Sequence, residues 1–227
     1  MEKYFYKFNL VEKLYEKNKL EIGEVLDSYP NNDLYKEILG VKGSWEKTAA
    51  NMLSELLVGT KHHQDFRNQR QYAFNLILNW LVEDLVYTLL KNTGSNIKRI
   101  GSDSKRNILQ GKEISALPDL LIENGKNIWI EVISNYPTNS GYSSFWEQSG
   151  YFDLRDNKFN HLLKQSLDDD VYVLGVVVSK SKYFKVKINK NTVVKSIQSE
   201  SNFGYKKTKR FYFENKLPKL IDTENIG

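Results

Sequence analysis

The chain has 227 residues, a formal net charge of +5, and 40% hydrophobic, 27% charged and 13% aromatic residues, the make-up of one substantial globular domain. No apolar run reaches the length of a membrane span, and the N-terminal MEKYFYKFNLVEK is too charged for a secretory signal. The absence of cysteine excludes disulfides, thiolate zinc sites and cysteine nucleophiles, and is compatible with a reducing cytoplasm.

In chain order, residues 1–60 read as a helical subdomain, with short helices around DLYKEILG and SWEKTAANMLSELLVG broken at SYPNND and GVKG. The adjacent His62 and His63 follow in a polar stretch without the i, i+4 spacing of a helical zinc site. A surface or phosphate-contacting role suits them better. The strongest helical signal lies within 66–91, where Phe74, Ile77, Leu78, Leu81, Leu85 and Leu89 recur at the 3.6 period. Thr93-Gly94-Ser95 ends it.

Three short strands are expected next, at 96–101 (NIKRIG), 119–124 (DLLIEN) and 127–134 (NIWIEVIS). Asn124-Gly125 is a strong hairpin signal between the last two. The polar, basic SDSKRNILQGKEIS reads as a loop. A mixed aromatic segment leads to an amphipathic helix over 154–167. VYVLGVVVS (171–179) then reads as a strand buried on both faces. The remainder reads as a hairpin, YFKVKINKNTVVKSI, followed by the strand KRFYFE. The expected class is α/β (α+β), a single domain over 1–227 with a core at 66–179 and a basic β-hairpin region at 180–220.

Charge is uneven along the chain. Residues 180–220 hold 11 Lys and one Arg against Glu200 and Glu214, whereas residues 1–60 hold 8 Lys against 10 acids. A basic C-terminal third with interleaved aromatics suggests a polyanion-binding face. The alternative is an ordinary solvated surface in a Lys-rich chain.

Two carboxylates stand out. Asp119 opens one strand, and Glu131 follows 12 residues later on its hairpin partner. A turn centred on Asn124-Gly125 brings them nearly opposite each other. Carboxylates that close repel unless a cation lies between them. An oxygen-only pair suits Mg2+, which keeps several waters and takes substrate phosphate in its open positions. The alternative is a turn-capping aspartate and an exposed edge glutamate.

The residues "LPDLLIENGKNIWIEVISNYP" and the order helix, three strands, helix, strand together resemble the PD-(D/E)XK nuclease superfamily. The resemblance covers roughly 70–180, and "EVISNYP" is most similar to BglII-type restriction endonucleases. It implies a mixed sheet with a helix, a three-strand meander, a helix and a further strand, and makes Asp119 and Glu131 metal ligands. The chain departs from the usual motif at Ile133, where many members carry lysine. An aliphatic side chain can neither orient a water nor accept a proton. Three replacements are considered: Lys158 on the following helix, about 40° from the buried Leu162; a one-residue bulge bringing Ser134 or Asn135 into register; and Lys126 in the turn. Lys158 is preferred as the third catalytic residue. With Leu81 at the centre of the long helix's buried face, Asp84 falls about 60° to one side and Glu83 about 160° away. Asp84 is thus the candidate for an additional metal-site carboxylate.

The implied activity is that of a Mg2+-dependent type II restriction endonuclease acting on double-stranded DNA as a homodimer, without a membrane. The expected DNA contacts are Arg99, Lys105 and Arg106, with Lys98 beside them, then Asn135, and the C-terminal Lys206, Lys207, Lys209 and Arg210. A repair or junction-resolving nuclease of the same fold, or a non-catalytic DNA-binding protein on a decayed nuclease fold, are the alternatives.

Overall fold

The computed structural model describes residues 2–22, 69–101, 105, 116–137, 145–201, 204–214 and 219–226. The two short helices expected within 31–60, His62, His63, Arg106 and most of the 102–115 loop lie outside the described residues.

Helix α1 (Glu2–Lys17) falls in the expected helical subdomain over 1–60, ahead of the two helices placed there individually. It buries Val11, Leu14 and Tyr15, spaced to share one helical face. The Tyr15 hydroxyl donates to the Leu81 carbonyl at 2.6 Å and so ties α1 to α2 (Gln69–Asn92). Ile77, Leu78, Leu81 and Leu85 of the expected stripe are buried, and so are Trp80, Val82 and Val86. Helix α2 is therefore covered on more than one side, by α1 and by the sheet. It ends as expected: Gly94 takes φ of 82°, and the Thr93 hydroxyl donates to the Leu90 carbonyl at 2.7 Å. Among the described residues no helix is long and apolar enough to cross a membrane.

Strands β1 (Ile97–Arg99), β2 (Leu120–Asn124) and β3 (Lys126–Asn135) form the antiparallel meander, with Gly125 turning at φ of 74°. A crossover through α3 (Phe145–Ser149), β4 (Tyr151–Arg155) and α4 (Asp156–Gln165) leads to β5 (Asp170–Val177), which pairs in parallel with β3. β6 (Lys182–Ile188) and the short β9 (Ile221–Asp222) complete a mixed six-stranded sheet in the order β1-β2-β3-β5-β6-β9. The fold is thus mixed α and β around a mixed sheet.

Alternation along β5 divides the interior in two. Leu174 and Val176 face α1 and α2 with Ile130 and Val132 of β3. Val171, Val173 and Val177 face Phe159 and Leu162 of α4. Burial on both faces accounts for the unbroken apolar run of that strand. The second core is aromatic. Phe152 stacks on Phe211 at 4.5 Å, and the Phe184 ring lies over Gly175, where an added Cβ would fall within 2.4 Å of ring carbons.

Two expectations are corrected. The hairpin expected over 183–197 is not formed. β6 pairs with β5 and β9, while β7 (Lys195–Ser201) pairs with β8 (Gly204–Tyr212) in a second sheet, β4-β8-β7. β5 takes one edge of β6 along its length and β9 takes the other at Lys182 and Tyr183, and a turn in which the Asn189 N–H donates to the Thr192 hydroxyl redirects the chain. The helix expected over 154–167 starts later, because YFDLR is the strand β4.

Asp170, at the start of β5, sits between Lys187 at 2.9 Å and Lys126 at 3.3 Å. The hydrogen bond from Lys187, then that from Lys126, holds its carboxyl below the usual carboxylate range. A depressed folded pKa means that this stabilisation is complete above the unfolded value and is lost as pH falls through the folded one. Denaturant midpoints followed from neutral to acidic pH should therefore fall less steeply for Asp170→Asn than for the wild-type chain. Parallel profiles would mean that the three-residue cluster adds nothing.

Candidate active site

The β2–β3 register pairs Leu120 with Ile130, so continuing it by one residue sets Asp119 opposite Glu131. Strand alternation sends Ile128, Ile130 and Val132 towards α2, and Trp129, Glu131 and Ile133 to the face covered by α4. Asp119 and Glu131 are 4% and 7% exposed, which makes their placement energetically demanding and so well specified.

Asp119 is held at three points. Its carbonyl accepts from the Ile100 and Gly101 N–H groups at 2.9 and 3.2 Å, and its Oδ2 accepts from the Val132 N–H at 2.8 Å. The last bond links the aspartate directly to the strand that carries Glu131. Gly101 is required here by close approach: an added Cβ would lie 2.8 Å from the Pro118 carbonyl oxygen and 2.9 Å from Asp119 Cα. Gly101→Ala should displace Asp119 and destabilise the fold by about 1–3 kcal/mol, the usual cost of overpacking. Denaturant midpoints would measure it, and an unchanged midpoint would show that Asp119 tolerates the shift.

The ammonium of Lys158, in the first turn of α4, lies 2.9 Å from Glu131 Oε2 and 3.0 Å from the Leu117 carbonyl oxygen. A lysine thus reaches the glutamate from the helix above the sheet, on the face where Ile133 offers no charge. The other two replacements are corrected. β3 pairs with β5 without a slip from Ile128↔Asp170 to Asn135↔Val177, so no bulge brings Ser134 or Asn135 into register. Ser134 instead donates to Asn79 Oδ1 of α2 at 2.7 Å. Lys126 is at the far end of the sheet with Asp170.

Asp119, Glu131 and Lys158 line one open cavity of about 400 Å³. Asn79 and Glu83 of α2 line it too, four residues apart and on one helical face. Asp84 does not. It is fully buried and paired with Arg99 Nη1 at 2.8 Å, so Glu83, not Asp84, is the α2 carboxylate that lines the cavity. The helical wheel misplaced both because it assumed a single buried face. The i, i+4 pair Asn79 and Glu83 was the available signal.

The expected DNA contacts fare unevenly. Arg99, bound to Asp84, also lies 3.8 Å from the Tyr87 ring centroid and braces α2 against β1 rather than standing open to a phosphate. Lys98 meets Glu123 at 2.6 Å. Arg210 makes a two-pronged contact with Asp153 at 2.8 and 2.9 Å over the Tyr151 ring, and Lys209 meets Asp156 at 3.1 Å. These two are corrected from open phosphate clamps to internally compensated cations, because β4–β8 pairing sets Asp153 opposite Arg210 and Asp156, at the start of α4, reaches Lys209. Lys105 and Lys207 are exposed, while Asn135 is partly buried at the end of β3. The Lys206 side chain lies outside the described ones.

Among the described residues no group of three His, Asp or Glu side chains forms a ready metal cage. Mg2+ commonly binds through one or two carboxylates with water and substrate phosphate making up the rest, and the donors here are carboxylate oxygens alone. The donor set therefore fits a hard cation. No family model matches the chain, and no curated protein matches it either.

Proposed function

We propose that this cavity is the catalytic site of a Mg2+-dependent nuclease with a PD-(D/E)XK-like core, a type II restriction endonuclease that cleaves double-stranded DNA as a homodimer. The observation that carries the reading is the Lys158 ammonium at 2.9 Å from Glu131, in the same cavity as Asp119. Two acids and a cation thus share one cavity despite Ile133, which supports the reading. The element order and the mixed sheet with its β1-β2-β3 meander support the same reading.

Asp119 and Glu131 would hold the cation, with Glu83 on the facing wall. When bound, Mg2+ supplies a Lewis acid for the phosphoryl oxygens and lowers the pKa of a water. Lys158 holds and orients the attacking water beside the phosphate and steadies negative charge as it develops there. Val132, Ile100 and Gly101 keep Asp119 fixed throughout.

One observation favours a second reading. Lys158 is shared between Glu131 and the Leu117 carbonyl, an arrangement that would also stabilise a non-catalytic DNA-binding protein. Incubating the purified chain with mixed-sequence plasmid and Mg2+ separates the readings. Discrete fragments support a restriction enzyme. A smear or structure-dependent nicking supports a repair or junction-resolving nuclease of the same fold, and intact but shifted DNA supports the binding protein.

A further inference from the structure

Every acid and base on the cavity's β4–α4 wall can be assigned a partner except one. Tyr151, Asp153 and Arg155 alternate with the buried Phe152 and Leu154 along β4 and so share the outward face of that strand. Both carboxylate oxygens of Asp153 are engaged by Arg210, at 2.8 and 2.9 Å. The next acid, Asp156, accepts from Asn160 at 3.0 Å and meets Lys209 at 3.1 Å. The two carboxylates nearest in sequence to Arg155 are therefore committed to other groups. Arg155 is exposed, lines the cavity, and has no hydrogen bond, ion pair or ring contact from its side chain among the described residues. It caps α4 without a side-chain bond to the helix. Lys158, the other cation of the cavity wall, is three residues along and turned inward to Glu131.

We infer that Arg155 is a positioning residue that grips a backbone phosphate of the nucleic acid entering the cavity, an inference that rests on the nuclease reading above. A planar guanidinium presents paired donors that match phosphate oxygens two at a time. Lys158 offsets only part of the charge of Glu83, Asp119 and Glu131 on the cavity wall, which would still repel a polyanion. An uncompensated cation at the mouth offsets that repulsion and fixes which phosphate comes to lie beside the carboxylates. The internal pairing of Asp153 with Arg210 serves this arrangement by keeping Asp153 from neutralising its neighbour. This assigns a role to a residue that no charge-run argument singled out: the phosphate contact is at the junction of β4 and α4.

The test uses the full chain and a mixed-sequence duplex oligonucleotide in EDTA, so that no strand is cut and binding alone is read. Affinity is measured across salt for wild type, Arg155→Ala and Arg155→Lys, with melting profiles to confirm that all three are folded. Arg155→Ala should lower the slope of log affinity against log salt by about 0.9, the value for one phosphate contact on duplex DNA. Arg155→Lys should retain the wild-type slope, since it keeps the charge. An Arg155→Ala slope equal to wild type overturns the inference, and so does a chain that binds no duplex at any salt. A separate Mg2+ digest of wild type keeps the two readings apart. Cleavage with an unchanged Arg155→Ala slope leaves the nuclease standing and removes the phosphate grip. A lowered slope without cleavage upholds the phosphate grip and removes the nuclease.

Discussion

Asp119→Ala and Glu131→Ala are each expected to bring DNA cleavage below detection while duplex binding persists. On the proposed function, losing either carboxylate would remove a ligand for the cation that would supply both the Lewis acid and the activated water. The contacts that bind phosphate belong to other residues. The alanine variants also carry a folding cost. Glu131 shares an ion pair with Lys158 whose side chains are 9% and 20% exposed, and leaving one charge of such a pair without its partner costs about 3–5 kcal/mol when the pair is buried. The partial exposure of Lys158 reduces that figure. Asp119→Asn is the sharper control. Its amide oxygen can still accept from the Val132 N–H, so the local fold is kept while the negative charge is lost. Cleavage by Asp119→Asn at the wild-type rate, with its fold verified by circular dichroism, would remove Asp119 from the site.

Lys158→Ala should lower the single-turnover cleavage rate by roughly 10²–10⁴, the range for a positioned proton-transfer group, with little change in DNA affinity. The group acts where its ammonium already lies, 2.9 Å from Glu131 and inside the cavity. Ile133→Lys in the same chain should restore part of the loss. Ile133 is on the same face of β3 as Glu131, so a lysine there enters the same space from the strand instead of the helix. A Lys158→Ala rate equal to wild type would reduce the residue to a structural counterion. An unrescued double variant would show that approach from the strand does not reproduce approach from α4.

Some of this architecture was legible because local patterns determined it. Asn124-Gly125 announced the hairpin, and counting outward from that turn brought Asp119 and Glu131 together. The resemblance pointed to the helix after the motif, and helical phase picked Lys158 on it, one turn before the buried Leu162. What escaped the sequence depends on partners distant in the chain. The strand β4 is five residues long and pairs with β8, more than fifty residues later. Nothing in YFDLR by itself distinguishes a strand from the start of the next helix, and the capture of Arg210 by Asp153 was hidden with it. The helix α1 shows the same dependence. With α1 on one side of α2 and the sheet on another, burial is no longer a stripe, and a wheel drawn around Leu81 did not reveal that Asp84 is enclosed while Glu83 lines the cavity. Periodicity reports how apolar each side of a helix is; it does not report which element covers it.

An order-of-addition experiment asks whether Asp119, Glu131 and Lys158 form a metal-dependent site for cutting DNA. Wild-type chain is first bound to mixed-sequence plasmid in EDTA, with binding verified by gel shift, and excess Mg2+ is then added. The account predicts that the bound plasmid stays intact until Mg2+ arrives and is then cut into discrete fragments. Plasmid that remains bound and uncut throughout the Mg2+ titration would contradict it.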